Sequence, residues 1–168
     1  MLLAAILTVN MPVFVFGQSM GNPRFTALSP QDSTRLEEQR ALVAATIWQR
    51  YGEHSLTKTK ADIPILQKLI DDKVFDKSQT YELQSLGVAF GDVLAHELSL
   101  RWVMITDEYG TDPTLRLKNT STNVNALTMI SKRIEKGQAV SLSELLRITR
   151  KALAQIGKGT WPPNSNAK

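Results

Sequence analysis

Seven side chains in the second half of the sequence have chemistry that could carry a function: Glu97, Asp107, Glu108, Tyr109, Arg116, Lys132 and Arg133. Glu97 falls on the apolar stripe that Leu83, Leu86, Phe90 and Val93 form at helical spacing. A carboxylate on such a stripe must be paired or lie at its edge, because an unpaired buried charge is expensive. Arg101, Lys132 and Arg133 are the partners considered for it. A salt bridge tying helix to helix is the first reading, and a catalytic acid the second, since structural ion pairs perturb carboxylates as well. Further on, Asp107, Glu108 and Asp112 place three acids in one expected turn, opposite in charge to Arg116, Lys118, Lys132 and Arg133. Their spacing lacks the regular oxygen ladder of a calcium loop. With Tyr109 inside the turn, the set has the composition of a protein-binding surface. Trp102 is expected in the core.

Other chemistries have less to hold on to. The chain has no cysteine, so disulfides, thiolate metal sites and thiol nucleophiles are excluded. Asp92 and His96 stand at i, i+4 and are read as a solvated ion pair, since two ligands do not make a metal site. His54, the other histidine, falls in a polar connection. No zinc-protease helix motif, nucleophile elbow or phosphate-binding glycine loop occurs, and neither metal nor cofactor is expected. The net charge of +4 comes from scattered basic residues. Nucleic acid is therefore not an expected partner, because a phosphate footprint concentrates its charge on one face.

The elements that must position these residues can be placed from local signals. Met1 to Gly17 carries no charge and reads as a secretory signal cut after Gly17, with a retained anchor as the alternative. If it is cleaved, no stable membrane span is left, and the protein is expected in the periplasm or secreted. Residues 18–28 read as a flexible leader, 29–156 as a single domain and 157–168 as a mobile tail. Ser29-Pro30-Gln31-Asp32 starts a first helix that Gly52 ends. A second helix is expected from Asp62, and a third from Asp76 or Ser78, with Gln79 reaching back. Gly87, Gly91 and Ala95 recur every fourth residue on the third helix. Each glycine costs roughly 1 kcal/mol relative to alanine there, so another backbone is expected to approach closely. After Leu100 the pattern alternates: Trp102 to Thr106, a turn from Asp107 to Pro113, and Thr114 to Lys118 make a hairpin. Val124 to Leu127 is a candidate third strand. Thr128 can cap a helix to Gly137, and Ser141-Leu-Ser143-Glu144 opens the last one.

Leu83-Gln-Ser-Leu-Gly-Val-Ala-Phe-Gly-Asp92, Trp102-Val-Met, Asp107-Glu-Tyr-Gly110, Asp112-Pro113 and Thr128-Met-Ile-Ser-Lys-Arg133 together resemble a bacterial family known only as a domain of unknown function. The resemblance spans roughly Thr59 to Leu146. It implies a small α+β domain in secreted and other bacterial proteins, and no reaction. The expected architecture is α+β: N-terminal helices, a small antiparallel sheet of two or three strands, and two C-terminal helices. The expected function is noncatalytic binding of an envelope protein through the hairpin turn with Lys132 and Arg133. The alternatives are an immunity or inhibitor protein for an envelope toxin, or an envelope hydrolase using Glu97.

Overall fold

The computed structural model describes residues 23–52, 55–118 and 120–157. The proposed signal segment, His54 and residues 158–168 of the expected tail lie outside them. In chain order the elements are β1 (Arg24–Thr26), α1 (Pro30–Tyr51), a 3-10 turn (Lys60–Asp62), α2 (Ile63–Asp71), α3 (Thr80–Leu98), β2 (Leu100–Asp107), β3 (Gly110–Leu117), β4 (Asn123–Val124), α4 (Ala126–Met129), α5 (Ser131–Glu135) and α6 (Leu142–Gly157). The class is α+β.

α1 begins and ends where its local chemistry dictates. Ser29 Oγ accepts from the Asp32 N–H at 3.1 Å, and Asp32 Oδ2 accepts from the Ser29 N–H at 3.1 Å, so two orphan donors are satisfied reciprocally. Gly52, at φ 88°, closes the helix. Two later starts meet expectation only in part: α2 does follow Asp62, but without a cap from its side chain. Asp62 turns its carboxylate backward, accepting from the Thr57 and Lys58 N–H groups, while Thr59 caps the 3-10 turn. Gln79 does reach back to the Asp76 N–H at 2.8 Å, yet α3 itself starts at Thr80.

α3 is the axis of the domain. Over its middle turns it is not a one-sided amphipathic helix: Ser85 to Leu94 are all buried, because α1, α2, α4, α5, α6 and β2 all pack against it. Leu83, Leu86, Phe90 and Val93 form its apolar centre together with Ile47 of α1, Leu66 of α2 and Leu142 of α6.

Among the described residues the sheet is antiparallel in the order β1-β2-β3-β4, four strands where two or three were expected. The extra strand is β1, whose Phe25 pairs with Ile105. Part of the expected leader is thus an edge strand, and three residues are too short a run to show alternation in sequence. The candidate strand Val124 to Leu127 is corrected too: only Asn123–Val124 pair with β3, and the chain enters α4 at Ala126. Thr128 therefore lies inside α4 and does not cap it. A break at Ile130 divides the expected Thr128–Gly137 helix into α4 and α5.

Candidate functional site

The glycine face of α3 leads to a carboxylate that accepts three hydrogen bonds. A Cβ on Gly87 would fall 2.7 Å from the Ala126 carbonyl oxygen and closer still to that of Leu127, so the α4 backbone sits where a side chain would be. A Cβ on Gly91 would run into the Trp102 ring. The expected close approach is found, and its partners are α4 and the indole of β2. With Trp102 held there, its Nε1–H donates to Asp92 Oδ1 at 2.9 Å. Arg40 of α1 supplies a two-pronged contact to the same carboxylate, Nε to Oδ2 at 2.6 Å and Nη2 to Oδ1 at 2.8 Å. Arg40 Nη1 also donates to Glu37 at 2.9 Å.

Asp92 is thus the meeting point of α1, α3 and β2, and the reading that paired it with His96 is corrected. His96 is exposed and lies near Glu97 instead. Burial alone would lower the Arg40 pKa, but the Asp92 hydrogen bonds and charge, with Glu37 behind them, raise it. The ion pair is held closed. Such a desolvated pair, with three hydrogen bonds on the carboxylate, positions helices. Among the described residues no buried side-chain nitrogen or oxygen lacks a hydrogen-bond partner.

Glu97 is largely covered, as its place on the stripe requires, but its partner comes from elsewhere. Arg150 Nη2 of α6 stands 3.4 Å from Oε2, and His96 Nδ1 stands 3.4 Å from Oε1. Arg101, Lys132 and Arg133 are not its ion-pair partners.

The hairpin turn is tighter than expected. Asp107 pairs with Gly110, leaving the two-residue loop Glu108-Tyr109, and Gly110 takes φ 132°. Asp112 and Pro113 belong to β3, so the three acids do not share one turn. Asp107 Oδ1 accepts from the Tyr109 N–H at 2.9 Å, and the Thr106 and Thr111 hydroxyls bridge the strands at 2.9 Å just behind. Tyr109 projects from this braced tip at 77% exposure. The charge of Glu108, then its hydrogen bond, push the Tyr109 phenol pKa up.

Two of the three basic residues, Arg116 and Arg133, are bonded locally. Arg116 stands six residues along β3 from Gly110, about 20 Å at strand spacing. Its Nε donates to the Thr120 carbonyl at 2.6 Å. Arg133 Nη1 donates to the Met129 carbonyl at 2.6 Å, tying α5 to α4, and burial lowers its pKa. Lys132 is exposed on α5. Among the described residues, neither Asp107 nor Asp112 forms an ion pair with Arg116, Lys132 or Arg133. The seven residues therefore do not converge. None of them lines the concavity of about 680 Å³ between the α2–α3 connection and residues 137–140, over Leu69, Leu83 and Leu86.

Sequence reasoning missed Arg40 as the partner of Asp92. The signal available was the Gly-Asp at the end of the Leu83 to Asp92 block, where a glycine admits a large side chain beside a carboxylate.

An α+β domain organised around a glycine-faced central helix and a four-stranded antiparallel sheet is what the geometry defines. A family model described as "Domain of unknown function (DUF3806)" matches residues 62–145, half of the chain, and the protein belongs to that family. The matched stretch runs from the end of the 3-10 turn to the first turn of α6, so the Arg40–Asp92 pair joins α1, outside it, to α3, inside it. A search of curated proteins gives no match. A crystal structure from Bacteroides thetaiotaomicron VPI-5482 is similar in fold, with a TM-score of 0.68 at 14% identity, over 79% of this chain and 48% of that one. The chain spans about half the length of that protein.

Proposed function

We propose that the protein is a noncatalytic binding module of the bacterial envelope, periplasmic or secreted, that engages another protein through the tip of the β2–β3 hairpin. The observation that carries this is Tyr109, 77% exposed on a two-residue loop braced by Asp107 and by the Thr106–Thr111 bridge. A rigid turn presents an aromatic side chain with little conformational entropy left to lose, and tyrosine is enriched among residues that dominate binding energy. The uncharged Met1 to Gly17 segment supports export. Among the described residues, no helix is long and apolar enough to cross a membrane.

An immunity or inhibitor protein for an envelope toxin is one specific form of this reading. The rival, a hydrolase working through Glu97, has less geometry behind it, since Arg150 and His96 flank that carboxylate in an α6–α3 tie. A photo-crosslinking amino acid at position 109, compared in cells with the same probe at Trp48 on α1, tests the proposal. A discrete adduct from position 109 alone, on a chain whose mass has lost residues 1–17, is expected. Equal labelling from both positions would remove the hairpin tip, and an uncut chain held in the cytoplasm would remove the envelope assignment.

A further inference from the structure

Across the β2–β3 ladder, Arg101 stands directly opposite Arg116. Opposed positions share a face with their Cβ atoms about 5 Å apart, and like charges there destabilise a sheet. Arg116 is partly engaged, through the Thr120 carbonyl and by lying 4.2 Å over the Phe25 ring centroid. Arg101 is exposed, and its side chain makes no hydrogen bond or ion pair among the described residues. On the same face the hairpin acids Asp112 and Asp107 lie four and six positions farther along the strands. Beside the arginines is a cavity of about 240 Å³, lined by Phe25, Leu28, Trp102 and Val103 among others, with no carboxylate in its wall.

We propose that Arg101 and Arg116 form the anion end of a small-molecule site that takes a carboxylate carried on an apolar body. Two guanidinium groups on one face offer the forked donors that a planar carboxylate matches. The apolar wall accepts the rest of the ligand, and the cavity has room for a body the size of one aromatic ring. The ligand's charge offsets the repulsion between the arginines, so the empty pair is a destabilised arrangement kept at the expense of stability. The site lies toward the opposite end of the strands from the hairpin tip and is independent of the reading of Tyr109.

The test uses the full chain in ¹⁵N–¹H titrations with phenylacetate, acetate, 2-phenylethanol and inorganic phosphate, repeated on Arg101→Gln. Phenylacetate is expected to give saturable shifts confined to residues 25–28, 101–103 and 116. Acetate should bind at least about tenfold more weakly, for want of the apolar contact, and the alcohol should not saturate. Arg101→Gln should weaken phenylacetate at least about tenfold. Because it relieves the like-charge contact, it should also raise Tm by about 1–2 °C. No saturable shift with phenylacetate to about 10 mM overturns the proposal. Equal binding of the alcohol, or tighter binding of phosphate, also overturns it. A fall in Tm for Arg101→Gln with phenylacetate binding unchanged would make the pair structural.

Discussion

Replacing Arg40 by methionine keeps the apolar stem that packs along α1 but removes two of the three donors to Asp92, leaving only Trp102 Nε1–H. Removing one partner of a buried ion pair costs about 3–5 kcal/mol, because the other charge is left desolvated. Here the side chains retain 14% and 8% exposure, so water can take up part of the loss, and about 2–3 kcal/mol is expected. In a chain of this length that lowers Tm by about 5–10 °C. Urea unfolding followed by circular dichroism would measure it, with Asp92→Asn and the double variant completing a cycle. An asparagine carboxamide in place of the carboxylate can still accept from Trp102 without a charge to strand. The double variant Arg40→Met/Asp92→Asn should therefore recover at least about 1 kcal/mol of the loss in Arg40→Met. If Arg40→Met is within about 0.5 kcal/mol of wild type, or the double variant is no more stable than the single, Asp92 is not a buried anion dependent on Arg40.

Gly87→Ala should destabilise by about 2 kcal/mol or more despite alanine's helix propensity, because the new methyl meets backbone carbonyls of α4, which cannot rotate away. A gain in stability on urea unfolding would mean that α4 is not seated on that face. At the start of α1, the Ser29 side chain is the largest cause of the lowered Asp32 pKa, followed by the Ser29 backbone. A depressed carboxylate contributes stability that is present above its unfolded pKa and lost as pH falls through the folded value. Ser29→Ala should therefore move the Asp32 carboxyl up toward 3.8 in a ¹³C titration and shrink the loss of stability on acidification. An unmoved Asp32 would refute the reciprocal cap.

Of the candidate residues, Tyr109 is where its turn signals place it, on an exposed hairpin loop. Asp107 and Glu108 do sit beside it, as their sequence adjacency requires, but the grouping of Arg116, Lys132 and Arg133 with this tip rested on opposite charge, which says nothing about distance. The backbone settles that: Arg116 lies most of a strand length away, and Arg133 is turned onto the Met129 carbonyl one helical turn before it.

By itself the sequence determined what depends on neighbours within a few residues. Ser29, Asp32 and Gly52 set the limits of α1, the alternation after Leu100 set the hairpin, and Gly87 and Gly91 announced a close approach on α3. Caps, turns and periodicity act over one or two turns of chain and can be read there. Only the tertiary structure decided which groups meet across it. Asp92 is bonded to Arg40, 52 residues earlier, rather than to its helical neighbour His96. Glu97 is met by Arg150 of α6, and Arg24–Thr26 become a strand only because β2 offers an edge. A charge has no pattern that names its partner, and a three-residue strand has no period. Both are fixed when the α3 core closes and brings distant backbones within hydrogen-bonding range.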